Sequence, residues 1–258
     1  MYDEKQIQAL HTVFDPSLPR LGVGNTEITE KALKIIFSKR PELKNKQNLK
    51  ILDLGCGNGG QTVDIAKKVN AKITAFDIYE PYLNELKRRA KLENVEHKIK
   101  VIQTDMFNPV LDDKPYDIIW SEGAVGAMGF ENALKMYYEF LTDNGVMAIS
   151  DCSWIHPLPP EECRKYYYNV YPVMVDIDEN ISTIKKNGYK LIDYFVLPVD
   201  AWEDNMYKPL EKRLDLLRKR NDLTSEVITM VKILDKGIVM FRKYSDYMGT
   251  VFYLFEKN

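Results

Sequence analysis

The sequence is poor in cysteine, histidine and net charge, and it has no long apolar run. Cys56, Cys152 and Cys163 are its only cysteines, and no two form a C-x-x-C pair. That spacing argues against a disulfide scaffold or a structural zinc site and fits a reducing cytoplasm. No metal is expected. Lys and Arg number 36 against 38 Asp and Glu, a net charge of −2, so no global field recruits nucleic acid or an anionic membrane. No apolar stretch approaches the ~18 residues of a membrane span. Behind Met1-Tyr2-Asp3-Glu4-Lys5 there is no apolar signal-peptide core.

What is present is an ordinary globular composition, 45% hydrophobic and 29% charged over 258 residues. That length suits one α/β domain with an elaboration, or two small domains. No internal repeat or low-complexity tract divides it. The organising stretch is Lys50–Gly60, K-I-L-D-L-G-C-G-N-G-G. An apolar strand, Ile51–Leu54, breaks into a glycine loop, and a helical pattern follows over 61–69. Strand, glycine loop and helix present bare backbone to an adenosine cofactor.

Around this stretch strand and helix alternate. Strands are expected over 72–76, 98–103, 116–120 and 146–150, with helices over 82–92 and 131–141 between them. The spacing implies right-handed crossovers and a parallel sheet, with ligands beyond the carboxyl ends of its strands. Later strands are expected over 189–196 and 250–255. Between those two lies a charged, leucine-bearing helical segment, 201–247. It reads as an insertion on a single domain spanning 1–258. Residues 1–25 carry an amphipathic helix (Ile7, Leu10, Phe14) and the turn Arg20-Leu21-Gly22-Val23-Gly24. They are either a surface helix with its loop or a flap over a ligand.

Four carboxylates sit in or just after successive strands: Asp53, Asp77, Asp105 and Glu122. Asp77 lies 22 residues after Gly55, where a carboxylate can accept hydrogen bonds from ribose hydroxyls. Gly55, Gly57 and Gly60 satisfy G-x-G-x-x-G, so a dinucleotide must be weighed. Against it, Asp53 places negative charge beside the loop, and no basic residue occurs between Gly55 and Ala66 to meet a pyrophosphate. Asp105 is placed to accept from an adenine amino group. An adenosine ligand carrying positive charge fits these acids better, and S-adenosylmethionine is one.

The run D-L-G-C-G-N-G-G, with Asp77, T-D-M and S-E-G-A after it, resembles class I S-adenosylmethionine-dependent methyltransferases. The likeness is to the small-molecule branch of ubiquinone/menaquinone methylases and cyclopropane-type synthases. It implies a Rossmann-like, doubly wound α/β fold whose mostly parallel seven-stranded sheet ends in a reversed hairpin. It implies S-adenosylmethionine as cofactor, a small-molecule methyl acceptor, no nucleic-acid or membrane partner, and a monomer or homodimer. Gly55, Cys56, Gly57 and Gly59 would then lie at the methionine moiety, with Asp53 serving its amino group. Asp77 and Ile78 would hold the ribose side. Thr104, Asp105 and Met106 would flank the adenine, and Glu122 and Gly123 would stand near the methyl.

For a general base the nominees are His156, in the loop Asp151-Cys152-Ser153-Trp154-Ile155-His156 expected after the fifth strand, and Glu122. His97 reads as surface, and His11 belongs to the N-terminal segment. Trp154, Tyr167, Tyr171 and Trp202 are expected in the acceptor pocket, with aromatic packing against the insertion as the competing explanation. Tyr166, Tyr167 and Tyr168 point about 100° apart on one helix, so they cannot share a ligand. Two other functions fit parts of the text: a nicotinamide-dependent oxidoreductase on the same glycine loop, and a non-catalytic S-adenosylmethionine-binding regulator.

Overall fold

A computed structural model describes residues 3–258; the first two residues of the expected flap lie outside the described chain. In chain order the elements are α1 (Glu4–Val13), α2 (Thr26–Lys39), α3 (Pro41–Lys44), β1 (Leu49–Leu54), α4 (Gly60–Lys68), β2 (Ala71–Asp77), α5 (Glu80–Leu92), β3 (Ile99–Gln103), β4 (Tyr116–Glu122), α6 (Phe130–Tyr137), β5 (Leu141–Trp154), α7 (Glu161–Val170), α8 (Ile177–Lys186), β6 (Tyr189–Val196), α9 (Val199–Trp202), α10 (Lys208–Arg218), α11 (Ser225–Tyr244) and β7 (Met248–Lys257). One seven-stranded sheet runs β3-β2-β1-β4-β5-β7-β6. Strands β1 to β5 pair in parallel, and β7 is antiparallel to both neighbours. This is the mostly parallel Rossmann-like sheet with a reversed strand pair at its end.

The central strands carry near-continuous apolar runs because helices cover both faces. Ile51, Leu52, Leu54, Ile118, Ile119 and Trp120 have no exposed surface. One apolar cluster packs α2, α4 and α5 on one face, and a second packs α6 and α8 on the other. Side-chain caps fix where key helices begin. Asn25 accepts from the Ile28 amide at α2, and Thr224 accepts from the Val227 amide at α11.

A third cluster lies over the carboxyl edge of the sheet. Ala9 and Val13 of α1 pack there with Leu210, Leu214 and Leu217 of α10 and with Val227, Met230 and Phe241 of α11. The first helix and the helices between β6 and β7 thus share one core, although some 200 residues separate them.

The fifth strand is longer than its apolar stretch predicts. The expected loop beginning at Asp151 is strand as far as Trp154, since β7 pairs with it from Asp151↔Val251 to Trp154↔Met248. The polar alternation Asp151-Cys152-Ser153-Trp154 is a strand covered on both faces, not a turn.

Candidate functional site

Between β1 and α4 the chain turns tightly. The Cys56 amide is held by the Phe76 carbonyl at 2.8 Å, and Gly57 donates to Asp77 Oδ2 at 3.0 Å. The other oxygen of Asp77 accepts from the Tyr79 amide at 3.0 Å. Asp77 therefore ties the end of β2 to the glycine loop. Burial pushes its carboxyl up, while amides of Tyr79, Gly57 and Ile78 pull it back. A carboxylate has about four acceptor positions, so at least one remains beside these amides.

A cavity of about 320 Å³ opens beside this junction. Its floor is Gly55, Cys56, Gly57, Asn58 and Gln61; Asp77 and Tyr82 stand on one side, and Glu122, Gly123 and Ala124 on the other. The roof is the N-terminal segment: Leu10, His11, Phe14, Leu21 and Gly22. Gly123 lies at φ 69°, and a Cβ there would meet nothing within 4 Å. It offers a bare backbone wall to the cavity.

The N-terminal segment is fastened to the sheet edge by side-chain donors reaching its carbonyls. Tyr82 donates to Phe14 O at 2.7 Å, and Asn58 and Arg89 both donate to Leu18 O at 2.6 Å. Arg20 is the strongest tie. Its guanidinium, 8% exposed, pairs with Glu122 and Asp64 at 2.6 Å each and donates to Thr29 at 3.1 Å.

The expected cofactor residues divide into groups. Gly55, Cys56, Gly57, Asp77, Glu122 and Gly123 wall the cavity. Asp53 lies behind it, without exposed surface; Thr62 donates to it at 2.6 Å, and the Gln61 amide lies at 3.3 Å. Gln61, not Asp53, faces the cavity. Burial pushes the Asp53 carboxyl up to about 7, with Glu122 adding to the shift and Thr62 opposing it. Burial also pushes the Cys56 thiol well up, which removes it from thiolate chemistry.

Gly59 needs correction. A Cβ there would stand 2.2 Å from a Leu86 methyl of α5, and its φ is 81°. Close helix packing, not cofactor approach, explains this glycine. Thr104, Asp105, Met106 and Ile78 stand outside the cavity wall. The Thr104 amide donates to Asp77 O at 3.2 Å, Ile78 is exposed, and Asp105 accepts from the Phe107 amide at 2.9 Å. The Met106 methyl would lie 3.2 Å from a Cβ on Gly55.

Neither nominated base keeps that role. His156 is exposed and away from the cavity; its Nδ1 accepts from the Leu158 amide at 3.2 Å, and its ring meets Tyr247 edge-on. Glu122 is held as a paired carboxylate: Arg20 holds one oxygen, while Thr29 and Trp120 donate to the other at 2.9 and 3.0 Å. The histidine that does reach the cavity is His11, stacked on Tyr79 at 3.6 Å. Burial lowers its pKa, and Asp77 partly offsets that.

The aromatic residues are also reassigned. Trp202 stacks on Phe241 at 4.2 Å, and Trp154 meets Tyr167 edge-on at 5.9 Å. All belong to the core under the helical cap, so the packing explanation holds for Trp154, Tyr167 and Trp202. Tyr168, one step further round α7, is 70% exposed. Tyr171 alone reaches toward the sheet edge, donating to Asp151 at 2.9 Å.

A glycine loop bonded to an acid at the end of the second strand defines an adenosine-cofactor site on a Rossmann-like sheet. Residues 45–215 match the model of a methyltransferase-domain family. The chain belongs to that family, of the class I S-adenosylmethionine-dependent type. It is similar to a sterol 24-C-methyltransferase of Gibberella zeae, 25% identical over 189 residues, which cover 69% of this chain and 49% of that protein. The chain thus spans about half the length of that relative. A phosphoethanolamine N-methyltransferase of Plasmodium falciparum is 21% identical over 229 residues, covering 85% of this chain and 82% of the other. Among solved structures, an S-adenosylmethionine-dependent methyltransferase from Geobacter sulfurreducens, in complex with S-adenosyl-L-homocysteine, superposes with a TM-score of 0.77. At 17% identity and 99% coverage of both chains, that likeness establishes the fold.

Proposed function

We propose that the protein transfers a methyl group from S-adenosylmethionine to a small-molecule acceptor. The observation that carries this reading is the acidic character of the cavity: Asp77 and Glu122 are in its wall, and Asp53 lies behind Gln61. Arg20 brings a cation to the glycine loop from outside it, but Glu122 and Asp64 neutralise that charge. An anionic pyrophosphate finds no free positive group there, whereas a cationic amino acid tail is favoured.

Asp77 would accept from ribose hydroxyls with the acceptor positions left by the Gly57 and Tyr79 amides. Gly55 and Gly57 would present backbone to the methionine portion. Ile78, Thr104, Asp105 and Met106 would border the adenine beyond the cavity wall. When bound, the cofactor supplies a methyl group on a positively charged sulfur. The chain's own contribution is alignment and exclusion of water by the roof of α1 and residues 14–22. Residues 3–25 and 199–244 would act as one cover of a single domain. With net charge −2 and unpaired cysteines, a soluble acceptor in the cytoplasm suits the chain better than nucleic acid or a membrane.

Calorimetry with S-adenosylmethionine and with NAD tests the first half. Micromolar binding of the former alone is expected, and the reverse would sink the reading. Transfer of tritiated methyl from S-adenosylmethionine into small molecules of a cell extract tests the second half. Cofactor binding with no labelled product would favour a regulator instead.

A further inference from the structure

Asp151 is a buried carboxylate with no role in the cofactor cavity. It follows Ser150, which pairs with Glu122 and accepts from the Gly123 amide through its hydroxyl at 3.1 Å. It therefore lies one residue past the level at which β4 ends, on the carboxyl side of the parallel strands, while β5 itself runs on to Trp154. It is 7% exposed. Asp117, by contrast, holds Lys46 at 2.7 Å and the Lys50 amide at 3.0 Å, whereas Asp53, behind the cofactor cavity, is met only by the neutral donors Thr62 and Gln61. Among the described residues Asp151 has no ion pair; one phenol, Tyr171, lies 2.9 and 3.1 Å from its two oxygens. A buried carboxylate served only by neutral donors, here the Tyr171 phenol and the Cys152 amide, is costly to keep ionised.

The phenol is placed as carefully as the acid. A Cβ on Gly126 would stand 2.5 Å from the Tyr171 oxygen, so only glycine lets the ring cross this turn. Gly126 lies in the turn Val125–Ala127 leaving β4, two residues beyond Ala124 on the cavity wall. Because Tyr171 commits its proton to Asp151, its oxygen is left with lone pairs to accept another.

We infer that Tyr171 and Asp151 form a proton relay for an acceptor whose nucleophile is a nitrogen or oxygen bearing a dissociable proton. The inference rests on the methyl-transfer reading. As the heteroatom bonds to the methyl carbon, the carbon–sulfur bond breaks and its electron pair stays on sulfur. The heteroatom's proton passes to the Tyr171 oxygen while the Tyr171 proton passes to Asp151, so the phenol ends neutral and the carboxyl protonated. Proton removal by a positioned group contributes roughly 10²–10⁴-fold in rate. Burial pushes the Asp151 carboxyl up to about 6, near the range where it can accept at neutral pH. The titratable groups facing it, Tyr171, Cys152 and Tyr253, are all pushed upward by burial and stay neutral there.

Asp151→Asn and Tyr171→Phe test this in two ways. In the cofactor-free protein, carbon-13 spectra of the aspartate carboxyls should show one group titrating near pH 6, separate from Asp53 near 7 and still present in Asp53→Asn. It should vanish in Asp151→Asn and move higher in Tyr171→Phe, which loses the donor. With ethanolamine and catechol as probe acceptors, both variants should lose about 100-fold in kcat. Asp151→Asn should also lose the rising limb of the pH profile, while cofactor Kd stays within twofold. Full rate with the limb intact in Asp151→Asn would overturn the relay. So would a carboxyl titration insensitive to Tyr171, or a wild type that binds cofactor yet methylates neither probe. A wild type that binds no S-adenosylmethionine would defeat the methyl-transfer reading instead, and the carboxyl titration would still report on the pair.

Discussion

The two sides of the carboxyl edge are assembled differently. On the cofactor side, Asp53, Gly55, Gly57 and Asp77 fall within 25 consecutive residues and meet through one β-α-β unit. On the covering side, Arg20 reaches Glu122 across 102 positions, Tyr171 reaches Asp151 from beyond α7, and α1 packs on α11. The first arrangement follows from local chain geometry. The second exists only once the termini and the insertion close over the sheet. The glycine-loop floor of the cavity is therefore set by short-range structure, and its roof and the helical cover by long-range closure.

The sharpest way to break this contrast is to cut the long-range tie. Arg20→Ala leaves Glu122 and Asp64 without their guanidinium, with side chains 4% and 17% exposed. Removing one partner of such a buried pair costs about 3–5 kcal/mol. The loss should appear as a lower denaturant midpoint, with the N-terminal amides exchanging first. A change under about 1 kcal/mol would mean that the segment is held chiefly by the Tyr82, Asn58 and Arg89 contacts to its carbonyls.

Next in size is the glycine that packs rather than binds. Gly59→Ala sets a methyl 2.2 Å from Leu86 at positive φ. Overpacking and backbone strain together should cost roughly 2–3 kcal/mol. Gly123→Ala shares the positive φ but meets nothing, so its stability cost should be about 1 kcal/mol. Its methyl would instead enter the cavity and weaken cofactor binding. Thermal melts and calorimetry on the pair separate the two roles; equal stability losses would erase the distinction. Asp77→Ala should leave the fold nearly intact and weaken cofactor affinity by ~1.5–3 kcal/mol, the scale of charge-assisted hydrogen bonds. Unchanged affinity would remove Asp77 from the ribose side.

The same contrast explains what could be read from sequence. The glycine loop, its two strands and the acid at Asp77 are legible because periodicity and spacing describe one contiguous unit. Family resemblance extended that to the sheet and the reversed β7. Arg20 and His11 carry no local mark, since they reach the cavity or its wall from the N-terminal segment; Gln61 and Tyr82 lie on α4 and α5 beside the loop, where helix periodicity does not tell a cavity-facing side chain from a packed one. The one available signal was an arginine heading a turn with two close glycines, just before a capped helix. His156 was nominated because Asp151–Trp154 looked like a loop; only pairing with β7 shows that strand continues there. A glycine's text likewise does not say whether it spares a ligand, as at Gly123, or a leucine, as at Gly59. Trp202 and Tyr167 had packing as an equal explanation, and packing between α7, α10 and α11 is what they do.

The smallest effect bears on how local the cofactor side is. Asp53 does not touch the cavity; Gln61 stands between, with its amide 3.3 Å from the acid and 3.2 Å from Cys56 O. Burial holds the Asp53 carboxyl at about 7 in the free protein, so at that pH it is about half protonated. A cationic amino group arriving beyond Gln61 favours the ionised form, which lowers the Asp53 pKa on binding. Binding then releases protons, about half of one at pH 7, and affinity rises with pH through 7 before levelling off. The folding consequence has the opposite sign. Between the ordinary carboxylate range and pH 7 the folded state binds the proton and the unfolded state does not, so this group makes stability fall as pH rises across that window. Calorimetry in two buffers of different ionisation enthalpy reads the proton count directly, and Asp53→Asn should abolish the release and make the stability slope shallower near pH 7, leaving the part that Asp77 and Asp151 contribute. Zero release by the wild type, with the stability slope still present, would show that Gln61 insulates the acid and that Asp53 serves the loop's fold through Thr62 rather than the ligand.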